Sequence, residues 1–297
     1  MNSFVREKAR LKKLLFIILC LVILPQFASA DLKVYFLDVG QGDSAIITCD
    51  GETMIIDGGL PGASDTVFTY IKNELSLDHI DYMVATHPDD DHVGGLPAVY
   101  NAVNRVDYLL TPVKELEGSN RLKMLIDKAN ENGTIIKIPY EEDTYFLGGA
   151  TVEILHCWPE AGLKRKNDMS ICLRIDYGET SFLFMGDAEE YSEDMMIAAN
   201  YLLEADVIKI SHHGSSGSSS LRFLEAVNPK YAVISCGKNN AYGHPNQDTL
   251  NTLKNKSIEL YRTDLQGTII CTSDGRTIQF STKRSTQEDL FLAPGNK

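Results

Sequence analysis

The chain has 297 residues, 43% of them hydrophobic and 23% charged, and a formal net charge of −13. That is globular composition, with enough apolar material for one large core or two small ones. The acidic balance excludes a broadly basic surface of the kind that grips a nucleic-acid backbone; any such groove has to be local.

Residues 1–30 stand apart. Arg6, Lys8, Arg10, Lys12 and Lys13 precede an unbroken apolar run over 14–24, and Ala28-Ser29-Ala30 has the form of a cleavage site. The pattern predicts a secretory signal peptide, with an uncleaved N-terminal anchor as the alternative. The apolar run is about half of the ~20 residues that a spanning helix needs. No later segment is long and apolar enough to cross a membrane. This leader holds five basic residues and one acidic residue, so the chain beyond it carries −17. The expected location is secreted or extracytoplasmic.

From residue 31 onward, strands lead. Segments 32–39, 45–48 and 53–56 are β-rich, and Asp50-Gly51 is a hairpin signal between the last two. Helical spacing over 66–77 (Val67, Tyr70, Ile71, Leu75) precedes a short strand at 82–85. That strand delivers the run Thr86-His87-Pro88-Asp89-Asp90-Asp91-His92-Val93-Gly94-Gly95. Carboxylates crowded at this density repel one another, and burial would penalise their charge further. A divalent cation removes both problems, so the run reads as a metal site. Helices are expected to begin at 96 and to span 121–130, the latter stopped by Asn132-Gly133.

The second half has the same style. Strands are predicted at 151–155, 170–176 and 181–185, a helix at 189–203 and a strand at 207–210 ending in Ser211-His212-His213-Gly214. A helix at 218–227, a strand at 231–235, a helix near 247–254 and strands at 267–271 and 277–281 complete the domain, which spans 31–283. Residues 284–297 read as a polar tail expected to fray. The pattern suits two mixed sheets packed face to face with helices outside, an α/β sandwich.

Each candidate ligand follows an apolar strand: Asp57 after 54–56, the 87–92 cluster after 83–85, Asp187 after 182–186, and His212 and His213 after 207–210. Strand ends along one sheet edge are where loops meet to build a site. Five of the seven histidines, including His244, lie in these glycine-flanked loops; His79 reads as a surface residue and His156 as structural. The five cysteines beyond the leader are widely spaced with no C-x-x-C, so disulfides do not organise the fold, and Cys49, Cys172 and Cys271 read as core.

The 87–95 run resembles the H-x-H-x-D-H-x-G-G signature of the metallo-β-lactamase superfamily. The opening 36–44 segment resembles the extracytoplasmic hydrolase domain of ComEC-type DNA-uptake proteins. So do Asn167-Asp168-x-Ser170, Gly186-Asp187, Lys209-x-x-His212-His213-Gly214-Ser215 and Gly243-His244-Pro245, in this order, across roughly 31–281. The multi-helix channel of such proteins has no counterpart here. The resemblance implies an αββα sandwich of two mixed sheets flanked by helices. It implies one metal position on His87 and Asp89 and a second on Asp91 and His92. Asp187 would bridge them and His213 would ligate, with His212 toward substrate; the two neighbouring histidines are interchangeable on sequence grounds. Asp57 would orient ligands, Asn167 and Ser170 would support ligands or substrate, and Asp43, Ser44 and His244 would line the mouth.

Two departures stand out. Asp89 occupies a position that is usually histidine. The histidine usual between the signature and the bridging aspartate has no counterpart, and Asn167 or Asp168 stands in its region. Both changes enrich the first position in oxygen, which suits manganese or magnesium better than a histidine-rich site does. Zinc is the first expectation for one or two divalent ions, with manganese the alternative. The implied chemistry is hydrolysis by a metal-activated water, with Asp91 or Asp187 accepting a proton and His212 or His244 donating one. The expected activity is that of an exported phosphodiesterase or nuclease, acting on DNA or a small phosphodiester. The alternatives are a lactone, thioester or other acyl hydrolase and a non-catalytic, metal-stabilised binding module. Oligomeric state leaves no mark in the sequence.

Overall fold

The structure, a computed structural model, describes residues 31–162 and 165–295. The predicted leader at 1–30 and the last two residues of the tail lie outside the described residues. The first six strands are β1 (Leu32–Phe36), β2 (Ala45–Cys49), β3 (Glu52–Ile56), β4 (His79–Val84), β5 (Arg105–Leu110) and β6 (Ile135–Lys137). Next come β7 (Thr144–Leu147), β8 (Ala150–His156), β9 (Cys172–Tyr177), β10 (Thr180–Phe184) and β11 (Val207–Lys209). The last are β12 (Tyr231–Ile234), β13 (Glu259–Arg262), β14 (Ile269–Ser273) and β15 (Ile278–Thr282). The α-helices among them are α1 (Ser64–Thr69), α2 (Asp90–Val93), α3 (Val99–Ala102), α4 (Asn120–Glu131), α5 (Glu190–Ala198), α6 (Leu221–Val227), α7 (Gln247–Asn255) and α8 (Thr263–Gln266).

One sheet runs β15-β14-β1-β2-β3-β4-β5-β6 and the other β13-β12-β11-β10-β9-β8-β7. Period-two alternation decides what each strand shows to each side. Val34, Phe36, Ile47 and Ile56 of the first sheet meet Ile154, Ile175, Phe182 and Phe184 of the second in the central core. Phe36 and Phe184 stack across that gap at 5.8 Å. The alternate residues face outward and are covered by helices. Ile46, Ile55 and Met83 lie under Val67 of α1, Val99 of α3 and Leu125 of α4. Leu183, Ile208 and Ala232 lie under Phe223 and Leu224 of α6 and Leu250 and Leu253 of α7. The result is the αββα sandwich of two mixed sheets expected from the sequence.

The mixture within each sheet positions the site. In the first sheet β1, β2 and β3 pair antiparallel, whereas β3, β4, β5 and β6 pair parallel. In the second, β8, β9 and β10 are antiparallel, whereas β10, β11, β12 and β13 are parallel. Parallel neighbours end at the same edge, and the crevice outside their carboxyl ends is where α/β sheets hold ligands. Asp57, Thr86 and His87 leave β3 and β4 at one such edge. Asp187, His213 and Ser235 leave β10, β11 and β12 at the other.

Several elements depart from expectation. β5, β6, β7 and β13 went unread: each is short or carries charged residues, and only pairing to a neighbour makes it a strand. The helix expected over 189–203 stops at Ala198, and Asn200 takes a left-handed conformation (φ 61°) just beyond it. The helix from 66 begins at Ser64 and passes into a wider turn over Tyr70–Glu74. The tail does not fray along its described length. Arg262, buried in α8's approach, donates from Nη1 to the Leu290 and Leu292 carbonyls at 2.9 and 2.8 Å, and Gln247 bonds Phe291 and Ala293. All five cysteines of the described residues are free and buried, Cys157 and Cys236 included.

Candidate metal centre

Two glycine pairs bring the opening loops together. The Gly58 N–H donates to the His92 carbonyl at 2.7 Å, and the Gly95 N–H donates to Gly59 at 2.9 Å. A Cβ on Gly95 would fall 2.0 Å from the Gly58 oxygen, so only glycine permits this approach. The same backbone contact draws in the 40s loop, where Asp43 donates its N–H to Asp91 and accepts one from Gly59. Asp57 itself holds φ at 58°, which aims its carboxylate back under the 86–92 loop.

That carboxylate organises the first half of the site. Asp57 accepts the Thr86 N–H at 2.8 Å and the Thr86 hydroxyl at 2.7 Å, and it meets His92 Nδ1 at 2.8 Å. A carboxylate only accepts, so His92 Nδ1 carries the proton. Thr86 has spent its hydroxyl hydrogen on Asp57, so its oxygen, 3.2 Å from His87 Nδ1, accepts from that ring. His213 Nδ1 faces the Ser235 carbonyl at 3.0 Å and must also donate. All three imidazoles thereby spend Nδ1 on an outer partner and turn Nε2 inward, the arrangement by which outer hydrogen bonds prepare histidines to ligate a metal.

Asp187 is where they converge. Its carboxylate lies 3.1 Å from His92 Nε2, 3.6 Å from His213 Nε2, 3.9 Å from His87 Nε2 and 3.8 Å from His212 Nε2. Asp91 approaches His213 Nε2 at 3.3 Å, and Asp89 approaches His87 Nε2 at 3.9 Å. His87 Nε2, His92 Nε2, His213 Nε2 and Asp187 Oδ1 are all buried, yet none makes a hydrogen bond. Four buried polar atoms without a hydrogen-bond partner, aimed at one space, would cost several kcal/mol unless a cation satisfied them, on the order of 1–3 kcal/mol each. The residues therefore fit divalent metal, one or two ions. The structure brings together every residue predicted to ligate: His87, Asp89, Asp91, His92, Asp187 and His213.

Electrostatics agree. Burial alone would raise Asp187, but the imidazoles of His92 and His213 outweigh it and hold the carboxyl well below its usual range. Burial would likewise lower His92, yet Asp187 and Asp57 push it well above its ordinary value. His213, similarly buried, is raised to about 10 by Asp187 and Asp43. His87, buried and beside His92, is lowered. A field that holds protons on buried imidazoles is one that attracts cations.

The remaining predicted residues take distinct places. Ser170 accepts the Asp187 N–H at 3.0 Å and lies 3.4 Å from His87 Nδ1, so it supports ligands. Asn167 donates to Glu189, whose carboxylate also lies 3.5 Å from His212 Nδ1. Asp168 does not stand in for the absent histidine: it accepts the Glu189 N–H and the Ser192 hydroxyl at the start of α5. Asp43 and Ser44 are not at the mouth but buried. Asp43 lies within ligand reach of the cluster. One oxygen of its carboxylate pairs with Lys209 Nζ at 2.8 Å and the other lies 3.0 Å from His213 Nδ1, on the outer side of that ring, so we read it as a support for His213. His244 does sit at the rim, its ring 5.5 Å from His212 and 6.4 Å from His213. Burial, with His212 and His213 nearby, pushes it down to about 4.

Four contributors have no role assigned from the sequence, although Lys209 and Thr86 stand within the motifs quoted above. Lys209 is a charge inside an apolar strand, a signal in itself, because buried lysine demands a partner. Lys166 forms an ion pair with Asp89, and both line a cleft of about 350 Å³ together with Asp90, Asp91 and residues 116–119. Thr86 opens the signature run, but its bond to Asp57 had no local sign, and Glu189 carried no local signature. Residues 116–119 form one wall of that cleft, whereas Tyr145 packs away against Tyr82.

The comparisons with known proteins agree on one family. The sequence matches the profile of the metallo-beta-lactamase superfamily over residues 37–238. It is 31% identical to ComE operon protein 3 of Bacillus subtilis over 86% of this chain and 34% of that protein. It is 30% identical to competence protein ComA of Neisseria gonorrhoeae over 78% of this chain and 31% of that one. The chain thus spans about a third of the length of these curated relatives. Among solved structures, the metallo-beta-lactamase fold protein YhfI of Bacillus subtilis superposes with a TM-score of 0.55 at 13% identity, covering 82% of this chain and 100% of that one. A match to the family profile across most of the domain, on a sandwich whose loops gather the signature residues, establishes that this chain belongs to the metallo-β-lactamase superfamily.

Proposed function

We propose that the protein is an exported, metal-dependent phosphodiesterase whose substrates include DNA. The observation that carries the reading is the oxygen-rich cluster centred on Asp187. Its carboxylate is shared by three inward imidazoles, with Asp89 and Asp91 beside them. His87, Asp89 and Asp187 would hold one cation, and Asp91, His92, His213 and Asp187 a second. When bound, such ions lower the pKa of water and neutralise charge on a phosphoryl group. Asp91 is placed to accept a proton. His212, partly exposed between Asp187 and Glu189, is placed to donate one to a leaving oxygen. Lys166 at the cleft wall offers a positive charge to a substrate phosphate. Similarity to competence proteins supports DNA as a substrate, and the basic-apolar leader at 1–30 supports export.

The purified protein, supplied with Mn²⁺ or Zn²⁺, should hydrolyse bis(p-nitrophenyl) phosphate and cleave single-stranded DNA. Asp91→Ala and His92→Ala should each lower both rates at least about 100-fold. Cleavage of the small diester without DNA cleavage would remove the nuclease reading; full activity in either variant would sink the metal mechanism.

A further inference from the structure

We propose that Tyr242 is a stacking platform for a nucleobase of the substrate, set at the rim of the metal centre. The inference rests on the phosphodiesterase reading and narrows it to base-bearing diesters. Tyr242 is 70% exposed, on the loop between β12 and α7. Its ring stacks on His244 at 5.7 Å with an interplanar angle of 23°. His244 in turn meets the rings of His212 and His213. A continuous series of rings therefore leads from the buried ligands to a solvent-facing aromatic surface. A base laid on Tyr242 would place its own strand over the cluster.

The loop is built to present that ring. The Asn240 side chain donates to the carbonyls of Gly237 and His244, and its Oδ1 accepts the N–H groups of Tyr242 and His244, both at 3.1 Å. One amide thus clamps the backbone on both sides of the platform. The loop base is tied to the 40s loop, where the Gly237 N–H donates to Gln41 Oε1 at 3.1 Å. The far end is tied to the ligand loop, where the Asn246 N–H donates to the Gly214 carbonyl at 2.8 Å. An exposed aromatic ring fixed in advance loses little freedom on binding. Tyr191, another exposed aromatic, is already engaged by Trp158 and Arg165. Stacking also suits the charge of this protein. A chain at −13 gains little from broad phosphate contacts, whereas every base has a face to stack.

The test is fluorescence anisotropy of the full-length protein with labelled tetrathymidylate and with a four-unit abasic phosphodiester of equal charge. Wild type should bind the thymidylate about 5- to 150-fold more tightly than the abasic oligomer, the range that stacking of one base supplies. Tyr242→Ala should erase that preference and leave abasic binding unchanged, while Tyr242→Phe should keep it. Equal affinity of wild type for both oligomers, a preference surviving in Tyr242→Ala, or an equal loss on both oligomers would overturn the proposal. Hydrolysis of bis(p-nitrophenyl) phosphate is read separately. If it is absent while base-dependent binding persists, the phosphodiesterase reading fails and the platform stands.

Discussion

Asp43, Lys209 and His213 show how single residues set the site. Lys209 and Asp43 are both buried, and the lysine also donates to the Ile210 carbonyl at 2.8 Å. Burial would raise Asp43, but Lys209 and His213 lower it, so the carboxylate stays ionised against the His213 ring. Breaking a buried pair from one side strands a charge, at a cost of about 3–5 kcal/mol. Lys209→Met should therefore destabilise the protein by that amount in urea unfolding. The double variant Lys209→Met/Asp43→Asn should recover part of the loss, since no net charge is left behind. Additive losses would contradict the pairing. A lysine in an apolar strand was visible in the sequence. Its partner, 166 positions upstream, was not, because nothing local links the two.

At the scale of elements, α5 and α6 are joined by a carboxylate. Glu193 of α5 is buried and accepts the backbone N–H groups of Ser219 and Ser220, the latter at 3.0 Å, where α6 begins. Burial outweighs these bonds and raises the group from 4.5 to about 6. A raised carboxylate stabilises the fold most below its unfolded value and loses that contribution as pH rises through its folded value. The window is therefore pH 4.5 to 6, and the change is on the order of 2 kcal/mol. Glu193→Gln cannot ionise. Its stability deficit relative to wild type should shrink by about that amount between pH 4.5 and 7, measured by urea titration. A deficit independent of pH would show that Glu193 does not titrate there. Most elements were legible from periodicity. Those that were not, such as β6 and β13, are strands because a parallel neighbour makes them so.

Across the whole domain, the C-terminal tail closes the second sheet. Leu290 and Phe291 pack on the outer core, and the Leu290 and Leu292 carbonyls satisfy buried Arg262, which also pairs with Asp264 at 2.7 Å. Deleting residues 284–297 should leave buried donors unmet and cost at least about 2 kcal/mol, lowering Tm by roughly 4–8 °C. An unchanged Tm would show the tail to be a passive extension. Polar composition made this segment look loose. Its apolar residues are few, and their value depends on an arginine some thirty positions earlier.

The sequence by itself determined the chemistry of the site. The 87–92 cluster, Asp187 and the His212-His213 pair state their ligand types, and the glycines beside them state that the backbones must approach closely. Strand alternation likewise determined the two-sheet sandwich. Only the tertiary structure decided which histidine of the pair turns inward, that Asp43 backs His213, and that Lys166 faces Asp89. The reason is physical. Residue type and local spacing specify what a side chain can do, but its partner is chosen by parallel pairing that joins strand ends distant in the chain. His212 and His213 both sit in left-handed backbone, and only the packing of Ser235 and Asp43 against the second ring singles out His213.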